Sequence, residues 1–266
     1  MGVQQSASGL IMSTSAHDQV VQRRFGRTAQ AYLTSAVHAQ GSEFALLRDC
    51  LAGCADARVL DLGCGAGHVS FQVADLVSSV VAYDLSAEML AVVATTAAEK
   101  GLGNIVTERG AAEALPFADA SFDFVFSRYS AHHWRDLGQA LRELRRVLKP
   151  GGQAILIDVT SPGQPLLDTW LQAVEMLRDS SHVRDNSPGE WTRQLAEAGL
   201  IVTGMTRQRL RLEFSTWVAR MRTPELMQQA ILALQAAVGV EVRDYFEVDA
   251  SGSFSTDVMV LSVVPV

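Results

Sequence analysis

A glycine-rich turn with a carboxylate at its mouth is the first feature of this sequence that can do chemistry. The run Val59-Leu60-Asp61-Leu62-Gly63-Cys64-Gly65-Ala66-Gly67 reads as a strand, a tight turn and the approach to a helix. Glycine permits positive φ and lets the backbone approach a ligand closely. A ligand held there lies at the carboxyl end of a strand and beside a helix N-terminus, the usual crevice of open α/β sheets. The spacing is G-x-G-x-G, with His68 where the third glycine of the dinucleotide fingerprint G-x-G-x-x-G falls. No Gly-Lys-Ser/Thr follows, which excludes a P-loop.

A second carboxylate, Asp84, closes the apolar run Val80-Val81-Ala82-Tyr83 and precedes Leu85-Ser86. At the end of a second strand it can accept both hydroxyl hydrogens of a ribose, as the acidic residue of nucleotide folds does, and Leu85 can pack on an adenine. Asp61, so close to the ligand, repels a pyrophosphate and attracts a cationic amine. The methionyl ammonium and the sulfonium of S-adenosylmethionine meet that requirement better than a nicotinamide dinucleotide, so a nicotinamide-dependent reductase is disfavoured.

A third group lies in Ser127-Arg128-Tyr129-Ser130-Ala131-His132-His133-Trp134. Histidine titrates near neutral pH and can take a proton from a hydroxyl or an acidic carbon, which makes His132 and His133 the candidate catalytic residues. Metal is not expected, because neither HExxH spacing nor a carboxylate cluster accompanies them. Arg128, Arg24, Arg27 and Arg222 can place positive charge around a pocket and point to an anionic or enolisable small acceptor. Trp134 reads as packing.

The elements that must position these residues follow from hydrophobic periodicity. Short apolar runs alternating with helical periods predict βαβ units and a parallel sheet. Strands are expected at Arg58 to Leu62, Ser79 to Tyr83, Asn104 to Glu108, Phe122 to Phe126, Ala154 to Val159, Ile201 to Phe214 (one long strand or a pair) and Phe254 to Val264. Helices are expected from Asp18 to about Ala52, His68 to Val77, Ser86 to Lys100, Asp136 to Lys149, Glu190 to Ala198, Ser215 to Met221 and Pro224 to Val238. Ser86 serves as an N-cap and Gly101 lies just past the end of its helix. In the helix from Asp136, Leu137, Ala140, Leu141, Leu144, Val147 and Leu148 form one apolar stripe, and Pro150-Gly151-Gly152 stops it. Between Ser161 and Glu190 no element is predicted.

These residues resemble the class I S-adenosylmethionine-dependent methyltransferases, in particular the type 11 group related to the C-methyltransferases of ubiquinone and menaquinone synthesis. Further marks of that family stand here as Ala112-Glu113-Ala114-Leu115-Pro116-Phe117, Phe122-Asp123-Phe124-Val125-Phe126-Ser127 and Leu148-Lys149-Pro150-Gly151-Gly152, in its order and spacing over about residues 57 to 160. The resemblance implies that Asp61, Gly63, Cys64, Gly65 and Gly67 surround the methionyl part, and that Asp84 takes the ribose hydroxyls. Leu85 and Met89 then belong to the cofactor wall. Ala112 offers its backbone to the adenine edge, flanked by Ala111 and Glu113. Many relatives carry Asp where this chain has Ala111, and Glu113 or water takes over that contact. Ser127 and Arg128 lie near the methionyl amine and the transferred methyl. The run from Arg24 to Tyr32 looks like the family's lid, with Tyr32 closing over the cofactor; Tyr32 and Tyr129 are the candidate substrate contacts.

The expected fold is therefore α/β: a Rossmann-like, seven-stranded, mostly parallel sheet with helices on both faces. An N-terminal helical lid spans 17–53, and a methyltransferase domain spans 54–266 with a helical cap inserted at about 215–250, before the last strand. Residues 1–16 read as a disordered leader. The net charge of −7 and a pI near 5.4 argue against broad nucleic-acid binding. No apolar stretch reaches the roughly 18 residues of a membrane span, no secretory signal is apparent, and the cysteines Cys50, Cys54 and Cys64 suit a reducing compartment as buried thiols; the cytoplasm is the expected location. The expected activity is methyl transfer from S-adenosylmethionine to a small-molecule acceptor, yielding S-adenosylhomocysteine. A non-catalytic S-adenosylmethionine-binding sensor or partner protein is the alternative the residues leave open.

Overall fold

A computed structural model of the chain describes residues 15–26, 41 and 43–266. Seven strands, β1 (Arg58–Leu62), β2 (Ser79–Asp84), β3 (Ile105–Arg109), β4 (Phe122–Arg128), β5 (Leu148–Thr160), β6 (Leu200–Leu212) and β7 (Phe254–Pro265), form one sheet in the order β3-β2-β1-β4-β5-β7-β6. Pairing is parallel from β3 through to β5, and β7 runs antiparallel to both β5 and β6. Strand order reverses between β1 and β4, the switch point at which open α/β sheets bind ligands.

The helices are α1 (Ala16–Gly26), α2 (Glu43–Cys50), α3 (His68–Val73), α4 (Ala87–Glu99), α5 (Leu137–Val147), α6 (Pro165–Arg178), α7 (Pro188–Glu197), α8 (Phe214–Arg220), α9 (Glu225–Ala237) and α10 (Val240–Phe246). Central strands of such a sheet are covered on both faces, which is why they read as near-continuous apolar runs. Side chains alternate between the faces. Val59, Val80, Ile155 and Ile157 pack with α2 and α3. Leu60, Val81, Ala154 and Leu156 pack with α5 and α7. A third core joins α6, α8, α9 and α10 around Trp170, Trp217, Phe246 and Phe254; the Trp217 and Phe254 rings meet edge to face at 5.0 Å.

Three expectations are corrected. The stripe helix ends at Val147, not Lys149, because Leu148 already pairs with Phe122 at the start of β5. A bulge between Phe122 and Phe124 takes up the next residues, with Gly151 at φ +79° and a Cβ on Gly152 only 2.9 Å from the Asp123 carbonyl oxygen. The two glycines thus shape a bulged strand entry and lie beyond the point where the helix has already ended. Second, α6 occupies the stretch for which no element was expected, with Pro165 in its first turn and Leu167, Trp170, Leu171 and Val174 buried. Third, α10 adds about two turns to the cap between β6 and β7. The run from Ile201 is one strand, and α3 passes into a 3-10 turn at Ala74–Leu76. Helix is present at both ends of the expected lid, as α1 and α2; Arg27, Tyr32 and nearly all of the expected leader lie outside the described residues. Among the described residues no helix is long and apolar enough to cross a membrane.

Leu141, fully buried in the α5 face of the core, tests this packing. Leu141→Ala is expected to lower the unfolding free energy by about 2–5 kcal/mol, read as a shifted urea midpoint with an unchanged slope.

Candidate functional site

At the carboxyl ends of β1, β2 and β4 the sheet opens into a cavity of about 1000 Å³. Its floor is the glycine turn. The Gly63 and Cys64 N–H groups donate to the Tyr83 carbonyl at 2.8 and 3.0 Å, folding the turn back onto β2. The Gly65 N–H donates to Asp84 Oδ2 at 2.8 Å, and the Ser86 N–H to Asp84 Oδ1 at 2.8 Å. Gly65 stands at φ +49°, and a Cβ built there meets no atom within 4 Å, so the space before it belongs to the cavity. Ser86 caps α4 by accepting from the Met89 N–H. Asp84 therefore braces the loop and the turn at once, while its outward face still lines the cavity.

Asp61 is 1% exposed and receives both the N–H and the O–H of Ser70, at 2.9 and 2.6 Å, in the first turn of α3. Burial outweighs those bonds and lifts its carboxyl to about 7, with Asp84 adding repulsion. Burial likewise raises Asp84, and the Gly65 and Ser86 N–H groups hold it back.

The end of β4 forms the other wall. Tyr129 sits at φ +53°, an unfavourable backbone for a side-chain-bearing residue, and its N–H donates to the Ile157 carbonyl at 2.8 Å. Such strain of about 1–3 kcal/mol persists where the surroundings over-determine it and clusters at functional sites. Arg128 lines the cavity with its charge matched: Nε and Nη2 donate to Glu43 Oε1 at 2.9 and 2.7 Å.

The two histidines differ. His132 donates from Nδ1 to Asp158 Oδ1 at 2.6 Å, and its backbone N–H reaches Asp158 Oδ2 at 3.1 Å. Burial disfavours its charged form, but the Asp158 carboxylate overcomes that and raises it to about 9. His133 donates from Nδ1 to the Ser181 carbonyl at 3.0 Å, leaving Nε2 as the lone-pair nitrogen. Burial and the neighbouring His132 charge lower it to about 4. At neutral pH the pair is one imidazolium beside one neutral imidazole. A second cavity, of about 560 Å³, adjoins the first, and the two share Phe25, Tyr129 and His133.

Of the residues singled out in the sequence, Asp61, Gly63, Cys64, Gly65, Asp84, Leu85, Met89, Ala111, Ala112, Glu113, Arg128, Tyr129 and His133 all line the first cavity. Three do not. Gly67 is the N-cap of α3, where a Cβ would lie 2.9 Å from Phe71 and Val93. Ser127 is buried within β4, and His132 faces the second cavity. Glu113 is engaged by the Asp136 N–H at 3.1 Å. Arg24 is spent on Asp179, at 3.4 Å, and on the Arg178 carbonyl; Arg222 is exposed. Trp134 packs in the core and also lines the cavity, donating to Ser130 Oγ. Sequence reasoning missed Phe25, Asp158, Glu175, Arg178 and Asp185. Phe25 falls inside the lid run, seven residues before the aromatic that the resemblance favoured. The last three lie in or beside α6. Among the described residues no cluster of three or more metal-ligating side chains occurs.

Residues 60–156 match the family described as a methyltransferase domain. Over 199 residues the chain is 54% identical to YafE, an uncharacterized protein of Escherichia coli K12, covering 75% of this chain and 96% of that one. Over 222 residues it is 35% identical to YcgJ, an uncharacterized methyltransferase of Bacillus subtilis 168, covering 84% and 88% respectively. The crystal structure of YcgJ superimposes with a TM-score of 0.80 at 33% identity, covering 84% of this chain and 97% of that one.

Two outcomes follow from the cleft. Gly65→Val is expected to abolish S-adenosylhomocysteine binding in calorimetry with the circular dichroism unchanged, and Asp84→Ala to weaken binding by about 1–3 kcal/mol; parental affinity in either variant removes that residue from the site. A cation binds the ionised form of Asp61, so affinity for the ammonium-bearing ligand should rise as pH climbs through about 7 and level off above it. A flat profile would show that Asp61 does not face that charge.

Proposed function

The chain belongs to the class I S-adenosylmethionine-dependent methyltransferases of type 11, and from that membership we propose that the cofactor occupies the first cavity and the small-molecule acceptor the second, with methyl transfer at their junction. One observation carries this reading: the two cavities share the walls Phe25, Tyr129 and His133. The residues of the first cavity fit the cofactor. Open space faces Gly65, two carboxyl groups suit a cationic amine and a ribose, and Ala112 lines the same cleft. When bound, S-adenosylmethionine supplies an electrophilic methyl whose bond to sulfur breaks as the acceptor's electron pair takes it, leaving the neutral thioether of S-adenosylhomocysteine.

The protein's work is alignment and exclusion of water, since a thioether leaving group needs no proton. Asp61 and Asp84 hold the two ends of the cofactor's polar part. Phe25, edge-on to His133 with ring centroids 4.9 Å apart, screens the junction from solvent. His133 Nε2 receives the proton that the acceptor loses. His132, held as a cation by Asp158, stabilises the negative charge that develops on the acceptor as that proton leaves. The same charge that keeps His133 neutral thus makes the acceptor more acidic. Adjacent groups driven apart in pKa mark an acid and a base in this way.

Incubation with methyl-labelled S-adenosylmethionine and fractionated cell metabolites should move label to an acceptor; binding without transfer across all fractions would sink the enzyme reading. With the acceptor identified, His133→Ala should lower kcat by about 10²–10⁴-fold and leave S-adenosylhomocysteine affinity near parental. The rate at saturating cofactor should fall as pH rises past about 9, where His132 loses its charge. An alkaline limb that persists unchanged in Asp158→Asn would remove the pair from the mechanism.

A further inference from the structure

The second cavity contains a polar group for which methyl transfer has no use. Asp185 is 1% exposed and lines this cavity, yet its Oδ2 has no hydrogen-bond partner among the described residues. Leaving a buried polar atom unmatched is unfavourable. Gln172 pins the Asp185 backbone from both sides, accepting its N–H at 3.1 Å and donating to its carbonyl at 2.9 Å. Glu175, also buried, lines the same wall and is reached by Arg178 at 3.5 Å. Burial, and then the nearness of Glu175, raise Asp185 well above the usual carboxylate range, and burial raises Glu175 as well. The wall thus offers two carboxyl groups to a ligand, with burial biasing Asp185 toward its neutral, donating form. Leu210 and Leu212 of β6 and Trp217 of α8 give the same cavity apolar lining.

Building on the methyltransferase reading above, we propose that this cavity seats the acceptor through an uncharged hydroxyl group clasped by Asp185 and Glu175, with an apolar body lying against Trp217, Leu210 and Leu212. An ammonium would be brought against the cavity's three cations, His132, Arg178 and Arg220. A carboxylate would have to shed its hydration on a wall that already buries Glu175. A hydroxyl donates to one carboxyl and accepts from the other while adding no charge to a buried wall.

The test uses the protein saturated with S-adenosylhomocysteine and titrated near neutral pH with benzyl alcohol, benzylamine and benzoate, binding being read by ligand-observed NMR. The alcohol should bind about tenfold or more tightly than either charged analogue. Asp185→Ala should erase that preference, and Asp185→Asn, which keeps a donor and an acceptor, should retain most of it, both variants holding S-adenosylhomocysteine as the parent does. Equal binding of the three probes, preference for the amine or the carboxylate, no binding of any of them, or an unaltered preference in Asp185→Ala each overturns the proposal. Failure of the parent protein to bind S-adenosylhomocysteine would instead overturn the methyltransferase reading, so the two failures are told apart.

Discussion

Two carboxyl groups, one buried and one half-buried, at the carboxyl ends of neighbouring parallel strands impose their needs on everything at that end of the sheet. A buried carboxylate costs several kcal/mol unless donors meet it, and the nearest donors are backbone N–H groups. Asp84 draws one from Gly65 and one from Ser86; Asp61 takes its pair from Ser70. Reaching those donors forces the turn into positive φ at Gly65 and starts α3 where it starts. The cradle and its negative charge are consequently one device. Its remaining lone pairs turn toward the cavity, where they suit a ligand that brings a positive charge and hydroxyl groups.

The other side of the site obeys the same rule with more partners. His132 with Asp158, Arg178 with Glu175 and Arg24 with Asp179 are three ion pairs with largely buried members, at 2.6, 3.5 and 3.4 Å. Breaking such a pair by removing one partner commonly costs 3–5 kcal/mol, whereas well-packed apolar side chains would serve stability as well. His132, Glu175 and Arg178, members of two of these pairs, line the second cavity, so their charges bear on what it can hold. The split between His132 and His133 shows how the field is used, since a carboxylate on one imidazole is enough to set the protonation of the next.

The sheet and the glycine turn that floors the first cavity were legible in the sequence because both are written locally. Strands covered on two faces are apolar runs, and a loop that must wrap a carboxylate shows its glycines at fixed spacing beside that carboxylate. The acceptor side is written at long range. Asp158 meets His132 across 26 positions, and the Asp185 backbone is held by Gln172 on α6, with no spacing in the sequence to announce either. The helix α6 itself does have a periodic stripe in Leu167, Trp170, Leu171 and Val174. The arginines expected to charge the pocket failed for a related reason: a side chain's charge is visible in sequence and its partner is not. Arg128 is answered by Glu43 and Arg24 by Asp179.

Helix α1 brings the two sides under one constraint. Its inward residues Asp18, Val21 and Phe25 line the first cavity, and Phe25 lines the second as well. Its fastenings, however, lie on the acceptor side. His17 donates to the His133 carbonyl at 3.2 Å, and Arg24 reaches Asp179 and the Arg178 carbonyl just beyond the end of α6. A helix held in this way cannot lift from the first cavity without releasing its bonds to the wall that carries Arg178 and His133. The walls of the two cavities are therefore mechanically linked through α1: the helix that brings Phe25 to their shared boundary is the one fastened through His17 and Arg24.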